Sequence, residues 1–243
     1  MKARSPVCKL TALLLSALLV SGCAPSGSGG PLIRIDNVPM YGQPRTPRLE
    51  VLKKADEDFI KQASAAFRGS RRDASRAWVD QADRFFREGN LDYAMRRYNQ
   101  AWLLDATNYR AFWGFGQVTL QKDKFTEAIG YFEQALSLCD DSEQRPALLS
   151  DTGTAYSFKA KYEASLTPAE KASIFAQANE CFAKSTELNA HYGNAWKRWA
   201  MSLHREGRFA DAWEKVKRAR GAGITSFPTE FLDALSKELP EPK

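Results

Sequence analysis

Residues that could carry out chemistry are few and scattered in this sequence of 243 residues. Neither of the two histidines, His191 and His204, has a cysteine or carboxylate at metal-ligand spacing. The sequence contains no glycine-rich loop of the kind that cradles phosphate, and Asp56-Glu57-Asp58 is more simply a solvated helix face. The sequence therefore predicts a protein that is not an enzyme, with no metal, cofactor or small-molecule substrate.

One cysteine stands in a context that favours covalent modification. Three basic residues precede an apolar run of 11 residues from Leu10 to Val20, and Val20-Ser21-Gly22-Cys23 follows. This run is too short for a stable transmembrane helix and is typical of a secretory signal. Its last four residues resemble the lipobox of bacterial lipoproteins, which implies that residues 1–22 are removed and that Cys23 is acylated, with palmitate among its acyl chains. An ordinary signal peptide that is followed by a cysteine is the alternative.

The lipoprotein resemblance also implies a location and limits the partners. Acyl chains anchor a protein durably in a membrane, and Ala24 rather than Asp after the cysteine favours the outer membrane, facing the periplasm, over the inner membrane. Removal of the signal lowers the net charge from +6 to +3. This weak positive excess on an exported chain argues against nucleic acid as a partner.

Two further cysteines, Cys139 and Cys181, would remain after processing and could pair in an oxidising compartment. Their positions in the predicted helices differ in height by about 12 Å at about 1.5 Å per residue, whereas a disulfide needs Cα atoms within about 7 Å. The sequence therefore favours two small, buried, unpaired thiols.

Two patterns recur along the sequence. In the first, an alanine precedes a large residue by four positions, and 34 residues separate the first pair from the second and the third pair from the fourth. These pairs are Ala94/Tyr98, Ala128/Phe132, Ala178/Phe182 and Ala212/Val216. In the second pattern, which lies upstream of each pair, a small residue stands between two mostly large ones. These triplets are Trp78/Ala82/Phe85, Phe112/Gly116/Thr119, Leu149/Gly153/Tyr156 and Trp196/Ala200/Leu203.

The two patterns together resemble the tetratricopeptide repeat (TPR), whose period is about 34 residues. The resemblance implies an all-α fold, a right-handed solenoid of about four helix pairs with a helix before it and a capping helix after it. The predicted organisation is a lipoprotein signal peptide at 1–22, a lipidated cysteine with a flexible and extended tether at 23–48, an N-terminal helix at 49–74, four repeats at 75–226 (75–108, 109–142, 143–192 and 193–226), and a capping helix and tail at 227–243.

The third repeat contains about 13 more residues than its neighbours between the small residue of the second pattern and the alanine of the first. The insertion includes Thr167-Pro168-Ala169-Glu170, a sequence that predicts a capped helix start. We therefore expect both helices of this repeat to be lengthened, with a turn near residues 165–168. Such an extension is either a docking element or a tolerated surface feature.

In the TPR fold the first helix of each pair lines the inner groove, which implies that positions one residue beyond the core pattern face a partner. The candidate binding residues are Phe86, Trp113, Gln117, Leu120, Lys197, Met201 and His204. The same predicted stripe also includes Val79, Asp83, Ser150, Thr154 and Ser157. Exposed aromatic and apolar groups are typical of binding interfaces. Alternatively, these groups are covered by the long third repeat or by the Pro-rich, apolar segment 32–48, which is predicted to lie extended against another surface.

The functional expectation is a membrane-anchored scaffold or adaptor of the cell envelope that binds a protein or peptide partner. By resemblance to tethered TPR lipoproteins, it would serve the assembly of an envelope machine or the docking of cell-wall enzymes. The alternative is a structural protein whose exposed faces build a homo-oligomer.

Overall fold

A computed structural model describes residues 34–242 of the chain. These residues form ten α-helices and no strands. The helices are α1 (Glu50–Ala65), α2 (Arg71–Arg87), α3 (Leu91–Leu104), α4 (Tyr109–Gln121), α5 (Phe125–Leu138), α6 (Arg145–Tyr162), α7 (Pro168–Leu188), α8 (Gly193–Glu206), α9 (Phe209–Gly221) and α10 (Thr229–Glu238).

Helices α2 to α9 form four pairs, and the closest packing is between the two members of each pair. Consecutive pairs stack so that α4, α6 and α8, the first helices of their pairs, lie next to one another. The recurrent alanines and the large residues that follow them are all fully buried. The predicted all-α solenoid is therefore confirmed.

Glycines allow the closest helix crossings. A Cβ atom on Gly116 would overlap the ring of Phe132, and a Cβ on Gly153 would press on the carbonyl oxygen of Ala178 and on Phe182. Gly116 and Gly153 thus each lie under the aromatic residue of the second helix of their own pair. This arrangement explains why the sequence patterns combine small and large residues at fixed spacing.

Several helix boundaries differ from those predicted. The N-terminal helix predicted at 49–74 ends at Ala65, and α2 begins at Arg71 after Ser70 accepts a hydrogen bond from the backbone N–H of Asp73. In the third pair, α6 and α7 have 18 and 21 residues, against 13 or 14 for each helix of the second and fourth pairs. The predicted capping box of Thr167 and Glu170 begins α7.

We predict that two glycine substitutions change stability in opposite directions. Gly114→Ala should lower the free energy of unfolding by about 1–3 kcal/mol, because the new methyl group would overlap the Tyr98 ring. Gly130→Ala should raise it by about 0.5–1 kcal/mol, because Gly130 lies in α5 with open space around its Cα and alanine is the better helix former. Chemical denaturation of the two variants measures both effects, and a stabilised Gly114→Ala would contradict the packing.

Candidate functional site

An open cavity of about 320 Å³ lies on the face formed by the first helices. Its walls come from α2, α4 and the residue before α6, and the lining residues are Asp83, Phe86, Arg87, Arg110, Trp113, Gly114, Gln117 and Gln144. Three of the predicted site residues, Phe86, Trp113 and Gln117, are therefore brought together. We call this cavity the groove.

Trp113 is held in the groove by a buried carboxylate. Its indole N–H donates a hydrogen bond of 2.7 Å to Oδ2 of Asp151, and the Gln117 side-chain amide donates to the same oxygen over 3.2 Å. The guanidinium of Arg198 pairs with the other oxygen, Oδ1. Because these four side chains come from α4, α6 and α8, Asp151 links the first helices of three repeats. The Trp113 ring therefore has a fixed orientation.

The opposite wall of the groove also contains charged side chains that pair with one another. Arg110 donates hydrogen bonds of 2.8 Å to Asp80 and to Asp83, and the hydroxyl of Tyr98 donates one of 2.7 Å to Asp83. Burial opposes the charge of Arg110, yet its hydrogen bonds and the charges of Asp80 and Asp83 raise its pKa overall. Burial and the neighbouring Asp83 raise the pKa of Tyr98. Every strong charge beside Phe86 and Trp113 thus has a counter-charge except Arg87, whose Nε donates to the backbone oxygen of Asp83.

The predicted site residues of α8 lie elsewhere. Lys197 donates a hydrogen bond of 3.1 Å to the carbonyl of Ser226, just before α10. Met201 packs against the buried apolar residues shared by α8, α9 and α10. The ring of His204 lies 5.7 Å from the ring of Phe231 in α10, and burial lowers the pKa of this histidine. These three residues therefore support the capping helix and are not part of the groove.

Other members of the predicted stripe are more buried than expected. Val79, Ser150 and Ser157 have no exposed surface, and Leu120 is half-buried against the core. The prediction of exposure at Val79, Ser150 and Ser157 is wrong because neighbouring first helices pack side by side and cover the positions between them. Of the predicted stripe, Asp83, Phe86, Trp113 and Gln117 line the groove.

Sequence reasoning missed Asp151 and Arg198. Both stand two residues after a recurrent large residue, Leu149 in the third repeat and Trp196 in the fourth. Residues at equivalent positions of adjacent repeats are neighbours in a stacked solenoid. Opposite charges at such positions were therefore a signal for a pair between repeats.

The described part of the N-terminal segment does not enter the groove. The buried side chain of Asn99 in α3 donates hydrogen bonds of 2.9 Å to the carbonyls of Asp36 and Val38, and Arg96 forms a salt bridge of 3.1 Å with Asp36. Residues 34–48 form two short 3-10 turns, with Tyr41 buried. The segment therefore packs on the second helix of the first pair, and the alternative in which these residues cover the groove is wrong.

The remaining chemistry of residues 34–242 is sparse. Cys139 and Cys181 are free thiols, and burial raises the pKa of Cys181 to about 11. No three or more His, Cys, Asp or Glu residues converge within this range in a way that could hold a metal ion. Over the same range, no helix combines the length and apolarity that crossing a membrane requires. Cys23 lies outside the described residues.

Comparison with known proteins places the chain in a fold class. No family model matches the sequence, and no curated protein matches it in sequence. The structure is similar to a thermophilic TPR protein of Thermus thermophilus, at 13% identity and a TM-score of 0.58 over 68% of this chain and 80% of that one. It is also similar to PilF of Pseudomonas aeruginosa, at 19% identity and a TM-score of 0.50 over 76% of this chain and 84% of that one.

A third similar structure is that of the Cut9–Hcn1 hetero-tetramer of the APC/C, at 16% identity and a TM-score of 0.54. That match covers 76% of this chain but only 36% of the other. The chain has the tetratricopeptide-repeat fold. Its function has to be argued from its own groove, because at these identities the likeness extends to the fold alone.

Proposed function

We propose that this protein is a membrane-anchored scaffold of the bacterial cell envelope that binds a segment of a protein partner in the groove. The observation that carries the proposal is the pair of half-buried aromatic side chains, Phe86 and Trp113, that line an open cavity on adjacent repeats. Aromatic groups in partly enclosed sites are the residues that most often dominate the binding energy of an interface.

The electrostatics of the groove support a peptide segment over a small charged ligand. Asp83 and Asp151 are both engaged by arginines, and the Trp113 N–H is already donated. A ligand therefore meets two aromatic faces with a rim of charged groups that, apart from Arg87, already have counter-charges. Such a surface favours apolar side chains of a partner, and Gln117 and Gln144 at the rim can bond to its backbone.

The envelope location rests on the sequence. The signal-like residues 1–22, the lipobox-like residues before Cys23 and the small residues that follow support export and acylation. We place the anchored protein on the periplasmic side of the outer membrane, where it would serve the assembly of an envelope machine or the docking of cell-wall enzymes.

Lipidation is tested by a single substitution. Cys23→Ser should move the protein from the membrane fraction to the soluble fraction, because acyl chains at this cysteine are the proposed anchor. Metabolic labelling with a fatty-acid analogue should mark the unaltered chain and leave the variant unmarked. Label on both chains, or on neither, would contradict a lipid anchor at Cys23.

Groove binding is tested by photo-crosslinking in intact envelopes. A photoreactive amino acid in place of Phe86 should give a discrete adduct with a partner. The matched control replaces Lys217, which is exposed on α9, and should give no such adduct. An adduct of twice the chain's own mass, together with a molar mass from light scattering that rises with protein concentration, would instead indicate a homo-oligomer. The absence of any adduct specific to position 86 would contradict groove binding.

A further inference from the structure

The lengthened third repeat builds a second cluster of aromatic and cationic side chains. Phe158 and Tyr162 lie in the last turns of α6, and their rings are 5.8 Å apart. Phe125, at the start of α5, stacks on Tyr162 with ring centroids 6.3 Å apart. Tyr162 is 59% exposed, so this aromatic cluster is open to solvent. We call these three rings, with Arg205 of α8, the α6 tip.

Arg205 is fixed against the α6 tip. Its guanidinium lies 4.6 Å from the centre of the Phe158 ring, and its Nη1 donates to the hydroxyl of Ser157 over 3.4 Å. Stacking on an aromatic face and a second polar contact restrict the side chain to one orientation. The guanidinium is therefore held ready for a ligand instead of extending freely into solvent.

Arg205 has no carboxylate partner in the part of the chain that the structure describes, in contrast to Arg110 and Arg198 on the same first-helix face. Arg110 is neutralised by Asp80 and Asp83, and Arg198 by Asp151. Within residues 34–242, no aspartate or glutamate oxygen lies within 4.0 Å of the Arg205 guanidinium. Burial lowers the pKa of Arg205, an effect that the nearby Tyr162 hydroxyl opposes. A partly desolvated cation of this kind gains free energy when a carboxylate binds to it.

Two lysines at the same end of α6 add positive charge to this region. Lys159 and Lys161, in the last turn of α6, also have no carboxylate within salt-bridge distance among the described residues. Lys161 is close enough to lower the pKa of His204, the residue before Arg205, and Glu238 is the acid that opposes this effect. Around the end of α6, the cations Lys159, Lys161 and Arg205 outnumber Glu163, the acid that directly follows the helix.

We propose that the α6 tip binds an acidic segment of the protein partner, with a carboxylate on Arg205 and an adjacent apolar side chain on Tyr162 and Phe125. This inference rests on the proposed function, since it assigns a chemistry to the same partner. Arg198 and Arg205 are seven residues apart in α8 and therefore lie on the same side of that helix. Arg198, which pairs with the Asp151 that holds Trp113, and Arg205 at the α6 tip thus lie along one side of α8. The half-buried position of Arg205 between α6 and α8 favours a narrow peptide over a flat bilayer.

The test uses the full chain in detergent and a synthetic peptide, Gly-Phe-Glu-Glu-Phe-Gly with blocked ends, by isothermal titration calorimetry. The unaltered chain should bind this peptide, and the peptide with both glutamates replaced by glutamine should bind about tenfold to a hundredfold more weakly. Arg205→Gln should cause a loss of the same size, and Arg205→Lys a smaller one, because lysine keeps the charge without the planar fork.

Two further variants control for folding and for net charge. Tyr162→Ala, at an exposed position, should weaken binding of the peptide and leave the circular dichroism spectrum of the protein unchanged. Lys217→Gln, on α9, removes the same charge as Arg205→Gln and should leave the affinity unaltered. No measurable heat with the unaltered chain, equal binding of the glutamine peptide, or full binding by Arg205→Gln would each overturn the proposal.

Two other outcomes would assign the cluster to a different ligand and overturn it as well. These are displacement of the peptide by an equal concentration of inorganic phosphate, and binding to phosphatidylglycerol vesicles that Arg205→Gln abolishes. The result is independent of the adduct at position 86. A positive adduct with no peptide binding removes only this inference, whereas peptide binding with no adduct removes only the groove.

Discussion

Replacement of Asp151 by leucine should lower the free energy of unfolding by about 2–4 kcal/mol, as measured by chemical denaturation. The substitution leaves the Trp113 N–H and the Arg198 guanidinium without their shared acceptor, and the loss of one partner of a buried pair typically costs about 3–5 kcal/mol. The expected value is lower here because the Arg198 side chain is 39% exposed and water can solvate part of it.

Companion variants separate the charge from the hydrogen bonds. Asp151→Asn keeps an acceptor for Trp113 but removes the charge that pairs with Arg198, so its loss should be intermediate. Combining Asp151→Leu with Arg198→Leu should recover part of the stability, because no unpaired cation then remains. If the double variant lost more unfolding free energy than the two single variants lose when their losses are added, the pairing would be contradicted.

Simultaneous replacement of Phe86 and Trp113 by alanine should weaken capture of the partner more than about a hundredfold, because each aromatic anchor of an interface is worth about 2 kcal/mol or more. The measurement is quantitative pull-down with the partner that the adduct at position 86 identifies. Tyr93→Ala is the matched control, since Tyr93 is an aromatic residue that is 47% exposed on α3, outside the groove.

The stability of these variants must be measured beside their binding. Trp113 donates to Asp151, so Trp113→Ala should itself cost about 1–3 kcal/mol of unfolding free energy. Phe86→Ala has no hydrogen bond to lose and isolates the contribution of one anchor. If the double variant is folded at the assay temperature and retains its partner, the groove is not the binding site.

The fold was predictable because a short local pattern repeats wherever two helices cross. At each crossing the separation of the helices permits only a small residue such as Ala128 or Gly116, and the gap beside it must be filled by a large residue such as Phe132. These requirements act between residues close in sequence, so their spacing can be read from the chain. The capping box of Thr167 is local in the same sense.

The candidate site was predictable only in part because it depends on contacts between repeats. Phe86 and Trp113 follow from the period, but the pairing of Asp151 with Arg198 joins residues 47 positions apart. Val79 was expected to be exposed and is buried, because a helical projection of a single helix does not include the neighbouring first helix. The place of residues 34–48 depends on Asn99, a polar residue whose partners are two backbone carbonyls.

The packing of this N-terminal segment on α3 determines which contacts of the solenoid would bear a pulling force. Tension applied to the chain before Arg34 acts first on the bonds from Asn99 to the carbonyls of Asp36 and Val38 and on the pair between Arg96 and Asp36. The helix that follows, α1, is held to the segment by the salt bridge of Arg48 with Asp56. A pull on this segment would therefore be borne by the first repeat, whose α2 and α3 also contribute Phe86 and Tyr98 to one side of the groove.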